Sequence, residues 1–206
     1  MRVKICGITN VEDALMSEEA GADAIGVNLV PSSARLVSEE RAREIVNAVG
    51  PRLLVVGIVA DRDPSDMAAL LSRVGLGCLQ LHGHESPAAL RRLLPHAYKA
   101  LRIGTAEDVL AAELYAGDYL LVDAKHPDVL GGSGRTVDWR LVEPLARRRR
   151  LVLAGGLTPE NVGEAVGLVQ PDCVDVASGV EFAEDPRRKD PARLRAFIAA
   201  ARRTSA

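Results

Sequence analysis

Two side chains that could carry acid and base chemistry end short apolar runs of the sequence. Cys6 follows the run Val3–Ile5, and Asp123 follows the run Tyr119–Val122. A positioned thiolate can take a proton and a carboxyl group can give one, although a thiol with a pKa near about 8.5 does so only where the site favours the thiolate. Both residues also fit structural roles: a free cysteine is often a small buried hydrophobe, and Asp123 could cap a helix or pair with Lys125.

The other apolar runs also end in polar residues or glycines, which would meet at one place if the runs are parallel strands. These residues are Asn28, Asp61, His82, Arg102, Gly155, Gly156, Ser178 and Gly179. Glycine-rich turns occur at 131–134, 154–156 and 177–179. Because bare glycine backbone can aim several N–H groups at an anion, the turns at Gly155-Gly156 and Ser178-Gly179 predict a phosphate site.

The sequence predicts neither a metal site nor a disulfide framework. His82 and His84 form a His-x-His pair, but there is no H-E-x-x-H motif and no clear third ligand. The three cysteines, Cys6, Cys78 and Cys173, cannot all pair and include no C-x-x-C motif. We therefore expect no metal, a reducing cytoplasmic setting, and a place for His82 in the wall of a pocket.

The composition favours small-molecule chemistry. The chain has 206 residues, of which 48% are hydrophobic and only 3% aromatic, and its formal net charge is -2. Few aromatic residues and a balanced charge argue against nucleic-acid binding. The N-terminus lacks the apolar core of a signal peptide, and no apolar run approaches the roughly 18 residues of a membrane-spanning helix. We expect neither a nucleic-acid partner nor a membrane.

Eight short apolar runs along the chain predict eight buried strands. The runs are Val3–Ile5, Asp23–Leu29, Leu53–Val59, Cys78–Leu81, Tyr98–Leu101, Tyr119–Val122, Leu151–Leu153 and Cys173–Val176. Their apolar character is continuous rather than alternating, which is typical of parallel strands covered on both faces.

Amphipathic segments between these runs predict helices with one buried stripe. Apolar residues recur at helical spacing, for example, in Met67, Leu70, Leu71 and Val74. A capping side chain before proline predicts helix starts at Asp63-Pro64, Ser86-Pro87, Thr158-Pro159 and Asp190-Pro191. A capping box is predicted for Thr9 and Glu12. Left-handed residues after the first three helices are predicted at Gly21, Gly50 and Gly75.

The number and spacing of these elements predict an α/β fold, a single-domain (β/α)8 TIM barrel over residues 1–206. Eight units average about 26 residues each, which is close to the minimum for this barrel. An open doubly wound sheet is the competing fold, but the first turn, Cys6-Gly7-Ile8-Thr9-Asn10, lacks its glycine fingerprint. In a closed barrel Cys6 and Asp123 can face each other across the mouth, and the turns after strands seven and eight commonly hold phosphate.

Six segments carry motifs more specific than a barrel alone requires. They read KICGITNVEDA at 4–14, GADAIG at 21–26, QLHG at 80–83, GGSGRTVDW at 131–139, AGGLTPENV at 154–162 and DVASGVE at 175–181. In this order, and over essentially the whole chain, they closely resemble the phosphoribosylanthranilate isomerase family of tryptophan biosynthesis. The KICGIT opening and the GGSGRTVDW segment are the most specific of them.

The resemblance implies an intramolecular Amadori rearrangement of N-(5-phosphoribosyl)anthranilate to 1-(2-carboxyphenylamino)-1-deoxyribulose 5-phosphate. One acid and one base suffice for it, and no cofactor is needed. The resemblance implies Asp123 as general acid, Cys6 as general base and Arg35 as partner of the anthranilate carboxylate. It implies further substrate contacts at His82 and Asp175, and phosphate contacts at Gly155, Gly156, Ser178 and Gly179. The partner is then the small phosphosugar substrate, bound by a monomer or a homodimer.

The chain departs from the family pattern near the aromatic ring of the substrate. GVNLVPSSAR places Asn28 within the second strand and Ala34 before Arg35, Ala177 stands where serine is common, and KHPDVLGG at 125–132 is one residue longer than in many relatives. These differences leave the acid and the base in place and bear on the affinity for the anthranilate ring.

Two other functions stay open. One is the related Amadori isomerase of histidine biosynthesis, which acts on a larger substrate with two phosphates and uses a carboxylate where Cys6 stands. The other is a non-catalytic barrel that binds a phosphosugar, for which the replacement of Cys6 or Asp123 would have no catalytic consequence.

Overall fold

The computed structural model describes residues 1–123 and 139–203 and contains a closed barrel of eight parallel strands. Each strand pairs with the next along the chain, and the eighth pairs with the first. The strands are β1 (Arg2–Cys6), β2 (Ala24–Asn28), β3 (Leu54–Val59), β4 (Cys78–Leu81), β5 (Ala97–Arg102), β6 (Tyr119–Asp123), β7 (Arg150–Ala154) and β8 (Cys173–Val176). All eight predicted strands are present, and the closure excludes the open doubly wound sheet.

Helices alternate with the strands. They are α1 (Val11–Glu19), α2 (Glu39–Val49), α3 (Pro64–Val74), α4 (Pro87–Arg91), α5 (Ala106–Ala112), α6 (Glu143–Ala146), α7 (Val162–Val169) and α8 (Pro191–Arg203). Asp63 and Ser86 cap α3 and α4 as predicted, and Asp190 accepts backbone N–H groups at the start of α8. The three glycines predicted after the first helices all have positive φ, and Gly75 is a left-handed C-cap, but Gly50, with φ +57° and ψ −146°, lies outside the left-handed helical region.

The predicted capping box at the start of α1 is wrong. Asn10 is the N-cap instead, and its side-chain oxygen accepts the backbone N–H of Asp13 at 2.8 Å. The hydroxyl of Thr9 donates to the carbonyl oxygen of Arg187 at 2.6 Å. The local pattern assigns the Thr9 side chain to a cap with Glu12, but in the structure this side chain contacts Arg187, which is distant in the sequence.

The helix start predicted at Thr158-Pro159 is also displaced. α7 begins at Val162, and its N-cap residue, Asn161, makes no side-chain cap. The amide oxygen of Asn161 instead accepts the backbone N–H of Thr158 at 2.8 Å. The proline opens a turn that precedes the helix rather than the helix itself.

Two apolar layers form the core. The inner layer fills the barrel and consists of Val56, Tyr98, Ala100, Leu121, Val152, Ala154 and Cys173. The outer layer lies between strands and helices, where Met67, Leu70 and Val74 of α3 are buried as their spacing predicts. Because side chains on both faces of each strand are buried, the strand sequences show continuous apolar runs.

A two-stranded antiparallel ribbon follows β8 and is absent from the sequence prediction. It consists of β9 (Glu181–Phe182) and β10 (Asp185–Lys189). The ribbon reaches the first two loops of the barrel: the carbonyl oxygen of Arg187 accepts from the Thr9 hydroxyl at 2.6 Å, and the Arg187 side chain donates to the carbonyl oxygen of Ala34 at 3.0 Å. It thereby ties the last strand to the loops after β1 and β2.

Some predicted features fall at 124–138, outside the described residues. These are the GGSG turn at 131–134, the longer segment at 125–132, and Lys125 as a partner of Asp123. Over the ranges 1–123 and 139–203, no helix has the length and apolar character needed to cross a membrane.

Candidate active site

A cavity of about 510 Å³ opens at the carboxyl ends of the strands, and every strand contributes to its lining. Of the polar residues and glycines predicted to meet there, all but one line this cavity, namely Cys6, Asn28, Asp61, His82, Arg102, Asp123, Gly155, Gly156 and Ser178, whereas Gly179 lines the groove beside it. In this fold the carboxyl-terminal face holds the chemistry. The structure thus brings the predicted acid, the predicted base and the predicted phosphate turns to one cavity.

Cys6 ends β1 with its thiol against a bare stretch of β2. A Cβ atom at Gly26 would lie 2.9 Å from Cys6 Sγ and 3.2 Å from Lys4 Cε, so only glycine leaves room for both side chains. Burial raises the pKa of the Cys6 thiol, and the nearby ammonium groups of Lys4 and Lys189 oppose that rise without cancelling it. The thiolate therefore needs a further positive charge in the cavity.

Asp123 ends β6 and presents a carboxyl oxygen without a hydrogen-bond partner among the described residues. Its Oδ1 atom is buried, and no donor among residues 1–123 and 139–203 hydrogen-bonds to it. Buried polar atoms are nearly always hydrogen-bonded, so a carboxyl oxygen that lacks a partner at a cavity wall is expected to contact a bound ligand or to carry a proton itself. This is the arrangement expected of a group that acts on a bound molecule.

A buried polar network lies beneath Cys6. The ammonium group of Lys4 donates to Asp175 Oδ1 and to Gln80 Oε1, each at 3.0 Å, and the Tyr98 hydroxyl donates to the same Gln80 oxygen at 3.0 Å. Burial lowers the pKa of Lys4, but Asp175, Cys6 and Tyr98 together outweigh this, so the pKa lies well above its ordinary value. Lys4 is therefore a charged ammonium inside the barrel.

Arg35 lines the cavity, and its guanidinium is held by a carboxylate of the ribbon. Its Nε and Nη2 atoms donate to the two oxygens of Glu181, each at 2.6 Å. Glu181 also accepts from the ammonium of Lys189 at 2.8 Å, a side chain that is 0% exposed. A guanidinium has five N–H donors, and the two that Glu181 takes leave three for a ligand. Gly7, with φ +77°, makes room, since a Cβ there would meet Arg35 Cδ.

The two glycine turns face the cavity and the groove beside it. Gly155 and Gly156 have φ of +96° and +64°, and a Cβ at Gly179 would meet the carbonyl oxygen of Leu157. There is no room for a side chain at position 179, because the loops after β7 and β8 are in contact there. No acceptor in the described parts of the chain takes the backbone N–H groups of Gly156, Ser178 and Gly179.

His82 follows β4 and lies in the cavity wall, as predicted. Its Nδ1 atom is 3.0 Å from Gln80 Nε2, and burial lowers its pKa. His84 also lines the cavity, and its backbone N–H donates to Asp61 Oδ1. Among the residues that the structure describes, no three His, Cys, Asp or Glu side chains are grouped to hold a metal ion.

Sequence reasoning missed four residues of this site: Lys4, Gln80, Glu181 and Lys189. The first two leave a signal, since a charged residue interrupts the buried run Val3–Ile5 and an amide interrupts Cys78–Leu81. A buried polar residue in a strand must have a partner, and the cavity side of the barrel supplies it. Glu181 and Lys189 leave no such signal, because they lie in a charged segment typical of a surface loop.

Comparison with known proteins gives one answer. A family model described as N-(5'phosphoribosyl)anthranilate (PRA) isomerase matches residues 3–200. The protein of Desulforudis audaxviator named N-(5'-phosphoribosyl)anthranilate isomerase is 42% identical over 202 residues, which are 97% of this chain and 97% of that protein.

Solved structures agree with the sequence comparison. The crystal structure of phosphoribosyl anthranilate isomerase from Thermotoga maritima has a TM-score of 0.89 at 41% identity and covers 98% of both chains. Another, in complex with reduced 1-(o-carboxyphenylamino)-1-deoxyribulose 5-phosphate, has a TM-score of 0.86 at 38% identity, again covering 98% of both chains. The resemblance that the sequence motifs carry is confirmed, and the chain belongs to the N-(5'-phosphoribosyl)anthranilate isomerase family.

Proposed function

We propose that this chain catalyses the Amadori rearrangement of N-(5'-phosphoribosyl)anthranilate, with Asp123 as general acid and Cys6 as general base. Family membership over nearly the full length supports the reaction. The observation that carries the assignment of roles is the convergence on one cavity of a thiol from β1 and a carboxyl oxygen from β6 that has no partner within 1–123 and 139–203.

The first step opens the ribose ring. Asp123 donates its proton to the ring oxygen while the bond between C1′ and that oxygen breaks. The lone pair of the anilinic nitrogen forms the C1′=N double bond, which leaves a positively charged iminium. A buried carboxyl oxygen that no donor in the described residues occupies is free to approach the ring oxygen.

The second step removes a proton from C2′. The Cys6 thiolate takes it, the C–H electrons form the C1′=C2′ double bond, and the iminium electrons return to nitrogen. The resulting enolamine becomes the product when the proton of the C2′ hydroxyl is lost and C1′ gains one. The iminium adds a further positive charge to those of Lys4 and Lys189, and an adjacent cation lowers the pKa of a thiol.

The substrate has an anionic group at each end, and the cavity offers a separate partner for each. Arg35 keeps three N–H donors for the anthranilate carboxylate, and a carboxylate and a guanidinium pair strongly. The phosphate is placed on the N–H groups of the turns at Gly155-Gly156 and Ser178-Gly179. The ligand in the structure of one relative, reduced 1-(o-carboxyphenylamino)-1-deoxyribulose 5-phosphate (hereafter the reduced deoxyribulose 5-phosphate ligand), has both a carboxylate and a phosphate. Asp175, which also lines the cavity, is proposed as a sugar contact.

The proposal also covers domain organisation, oligomeric state and cellular setting. Residues 1–206 act as one domain, the enzyme is a monomer or a homodimer, and it works in the cytoplasm without a cofactor. The three cysteines are free, which suits a reducing compartment. Sedimentation at micromolar concentration separates a monomer from a homodimer.

Anthranilate is fluorescent, so loss of the substrate is followed directly in a spectrometer without coupling enzymes. We expect the wild-type protein to convert N-(5'-phosphoribosyl)anthranilate far above the rate in buffer. The absence of turnover by the folded protein at micromolar concentration would contradict the proposal. Turnover that prefers a two-phosphate substrate would favour the histidine-pathway isomerase, and tight binding without turnover would favour a non-catalytic barrel.

A further inference from the structure

A chain of three hydrogen-bonded side chains leads from two buried residues, Lys4 and Gln80, to His82 in the cavity wall. Lys4, Gln80 and His82 are joined by contacts of 3.0 Å, and Lys4 and Gln80 are each 2% exposed. We propose that Lys4 and Tyr98 orient the Gln80 amide so that His82 is a neutral imidazole with its proton on Nε2, which donates a hydrogen bond to an oxygen of the opened sugar. The second half of this proposal rests on the proposed function.

The orientation of the Gln80 amide follows from its partners. An ammonium group donates hydrogen bonds and cannot accept them, so the Gln80 atom that faces Lys4 must be oxygen. Lys4 is held in its charged form by Asp175, 3.0 Å away. The Tyr98 hydroxyl donates to the same oxygen at 3.0 Å, and burial keeps the pKa of Tyr98 well above its ordinary value, so it retains its proton. Both lone pairs of the oxygen are thereby used.

The state of the His82 ring follows from that orientation. With its oxygen committed, Gln80 presents an NH2 group to His82 Nδ1, and this group can only donate. Nδ1 must therefore accept, which requires that it carry no proton. A neutral ring with an unprotonated Nδ1 has its proton on Nε2, and an imidazolium would set two N–H donors against each other.

The charges around His82 come from several strands. The positive groups that lower its pKa are Lys99 and Arg102, and the negative groups that raise it are Asp123 and Asp175. Burial is the largest influence and lowers the pKa, so the net shift is downward. The neutral ring that the hydrogen bonds require is thus also the ring that its surroundings favour at neutral pH.

A neutral imidazole of this kind is a hydrogen-bond donor and a poor acid. His82 lines the same cavity as Asp123, but the two have different roles. Asp123 transfers a proton to the ring oxygen, and His82 donates a hydrogen bond to an oxygen of the opened sugar. Its action is on the sugar, since the anthranilate carboxylate and the phosphate have other partners. His82 is therefore a substrate-binding residue, and Gln80 is a positioning residue that acts through it.

The tautomer is measured in the ligand-free protein by long-range ¹H–¹⁵N correlation of the histidine rings. The His82 signals are identified by their loss in His82→Gln. We expect the Nε2–H tautomer as the single form near pH 7. The Nδ1–H tautomer, a mixture of tautomers or an imidazolium at that pH would overturn the proposal whether or not the protein turns over substrate.

Gln80→Glu tests the cause. A carboxylate at this position accepts a hydrogen bond from a protonated Nδ1, so we expect the imidazolium or the Nδ1–H form to replace the Nε2–H form. Gln170→Glu makes the same chemical change at an exposed residue after α7 and should leave the His82 spectrum and the activity unchanged. An unaltered tautomer in folded Gln80→Glu would contradict the proposed chain, and the wild-type spectrum decides the matter if that variant does not fold.

The donor role is tested with the reduced deoxyribulose 5-phosphate ligand and with kinetics. Saturating ligand should shift the Nε2–H resonance and slow its exchange with water, and no change would refute the role. His82→Leu should lower kcat/KM by about tenfold, the size of one net hydrogen bond, and His82→Gln, whose amide can donate from the same place, should recover part of that loss. Equal losses in both variants would point to packing alone.

Discussion

The carboxylate of Glu181 lies between two cations, and its replacement by glutamine allows a quantitative test of the site. Its side chain is 4% exposed and accepts two hydrogen bonds from Arg35 at 2.6 Å and one from Lys189 at 2.8 Å. Lys189 is 0% exposed, and its other hydrogen bond, at 3.3 Å, is to the carbonyl oxygen of Ala177. In Glu181→Gln a buried ammonium therefore loses its counter-charge.

The expected cost follows from this burial. Removing one partner of a buried ion pair costs about 3–5 kcal/mol, because the other charge stays buried and unpaired. For a chain of this size, about 1 kcal/mol lowers Tm by roughly 2–4 °C. Lys189→Met costs less, about 1–3 kcal/mol, because Glu181 keeps its paired guanidinium from Arg35. Adding Lys189→Met to Glu181→Gln removes the stranded charge, so the double variant should be more stable than Glu181→Gln alone.

The wild type, the two single variants and the double variant form a double-mutant cycle. Urea unfolding measures the free energy of unfolding of each, provided that their m values are equal. Burial lowers the pKa of Lys189, so its charged form is the disfavoured one in the folded protein. The loss in Glu181→Gln is then largest near neutral pH and shrinks as the pH rises and Lys189 releases its proton. It also shrinks in acid, where the paired Glu181 of the wild type takes up a proton; burial raises the pKa of Glu181, but Arg35 and Lys189 outweigh burial and lower it. Additive losses from the two single changes, or a loss that grows as the pH rises above neutral, would refute the reasoning.

Two further predictions concern the thiol. Gly26→Ala places a Cβ 2.9 Å from both Cys6 Sγ and Ile58 Cδ1. We therefore expect a loss of about 1–3 kcal/mol in stability and a fall in kcat. Gly104→Ala is the control, because the nearest atom to its Cβ lies 3.9 Å away, and it should keep the activity. Burial raises the pKa of Cys6, and a base must be deprotonated, so kcat/KM should rise with pH on a limb that Cys6→Ser removes. A pH-rate profile that is flat above neutral pH would count against Cys6 as the base.

Much of the fold was predictable because burial on both faces of a strand leaves a direct mark in the sequence. The eight apolar runs predict eight strands, and their carboxyl ends locate Cys6 and Asp123 at one cavity. The helix caps were less certain, since several side chains compete for the same backbone groups. Thr9 has the right spacing for a cap, but the next residue, Asn10, accepts the backbone N–H of Asp13, and the Thr9 hydroxyl donates to the ribbon instead.

The partners of the predicted site residues were not predictable from local patterns. Arg35 and Glu181 are 146 positions apart, and they meet because a short charged ribbon folds over the barrel mouth. Nothing in a segment of charged residues tells which of them will be buried. Gln80 could have been found, because an amide inside a buried strand must have partners, but their identity depends on the strand register around the barrel.

The central claim is that Cys6 and Asp123 perform the chemistry and do not merely bind the substrate. Fluorescence kinetics of Cys6→Ser and Asp123→Asn, beside the matched controls Cys78→Ser and Asp118→Asn, tests it most directly. We predict that kcat falls by about 10²–10⁴ in each site variant while the affinity for the reduced deoxyribulose 5-phosphate ligand and the free energy of unfolding change little, and that both controls match the wild type. Wild-type turnover in either site variant would contradict the account.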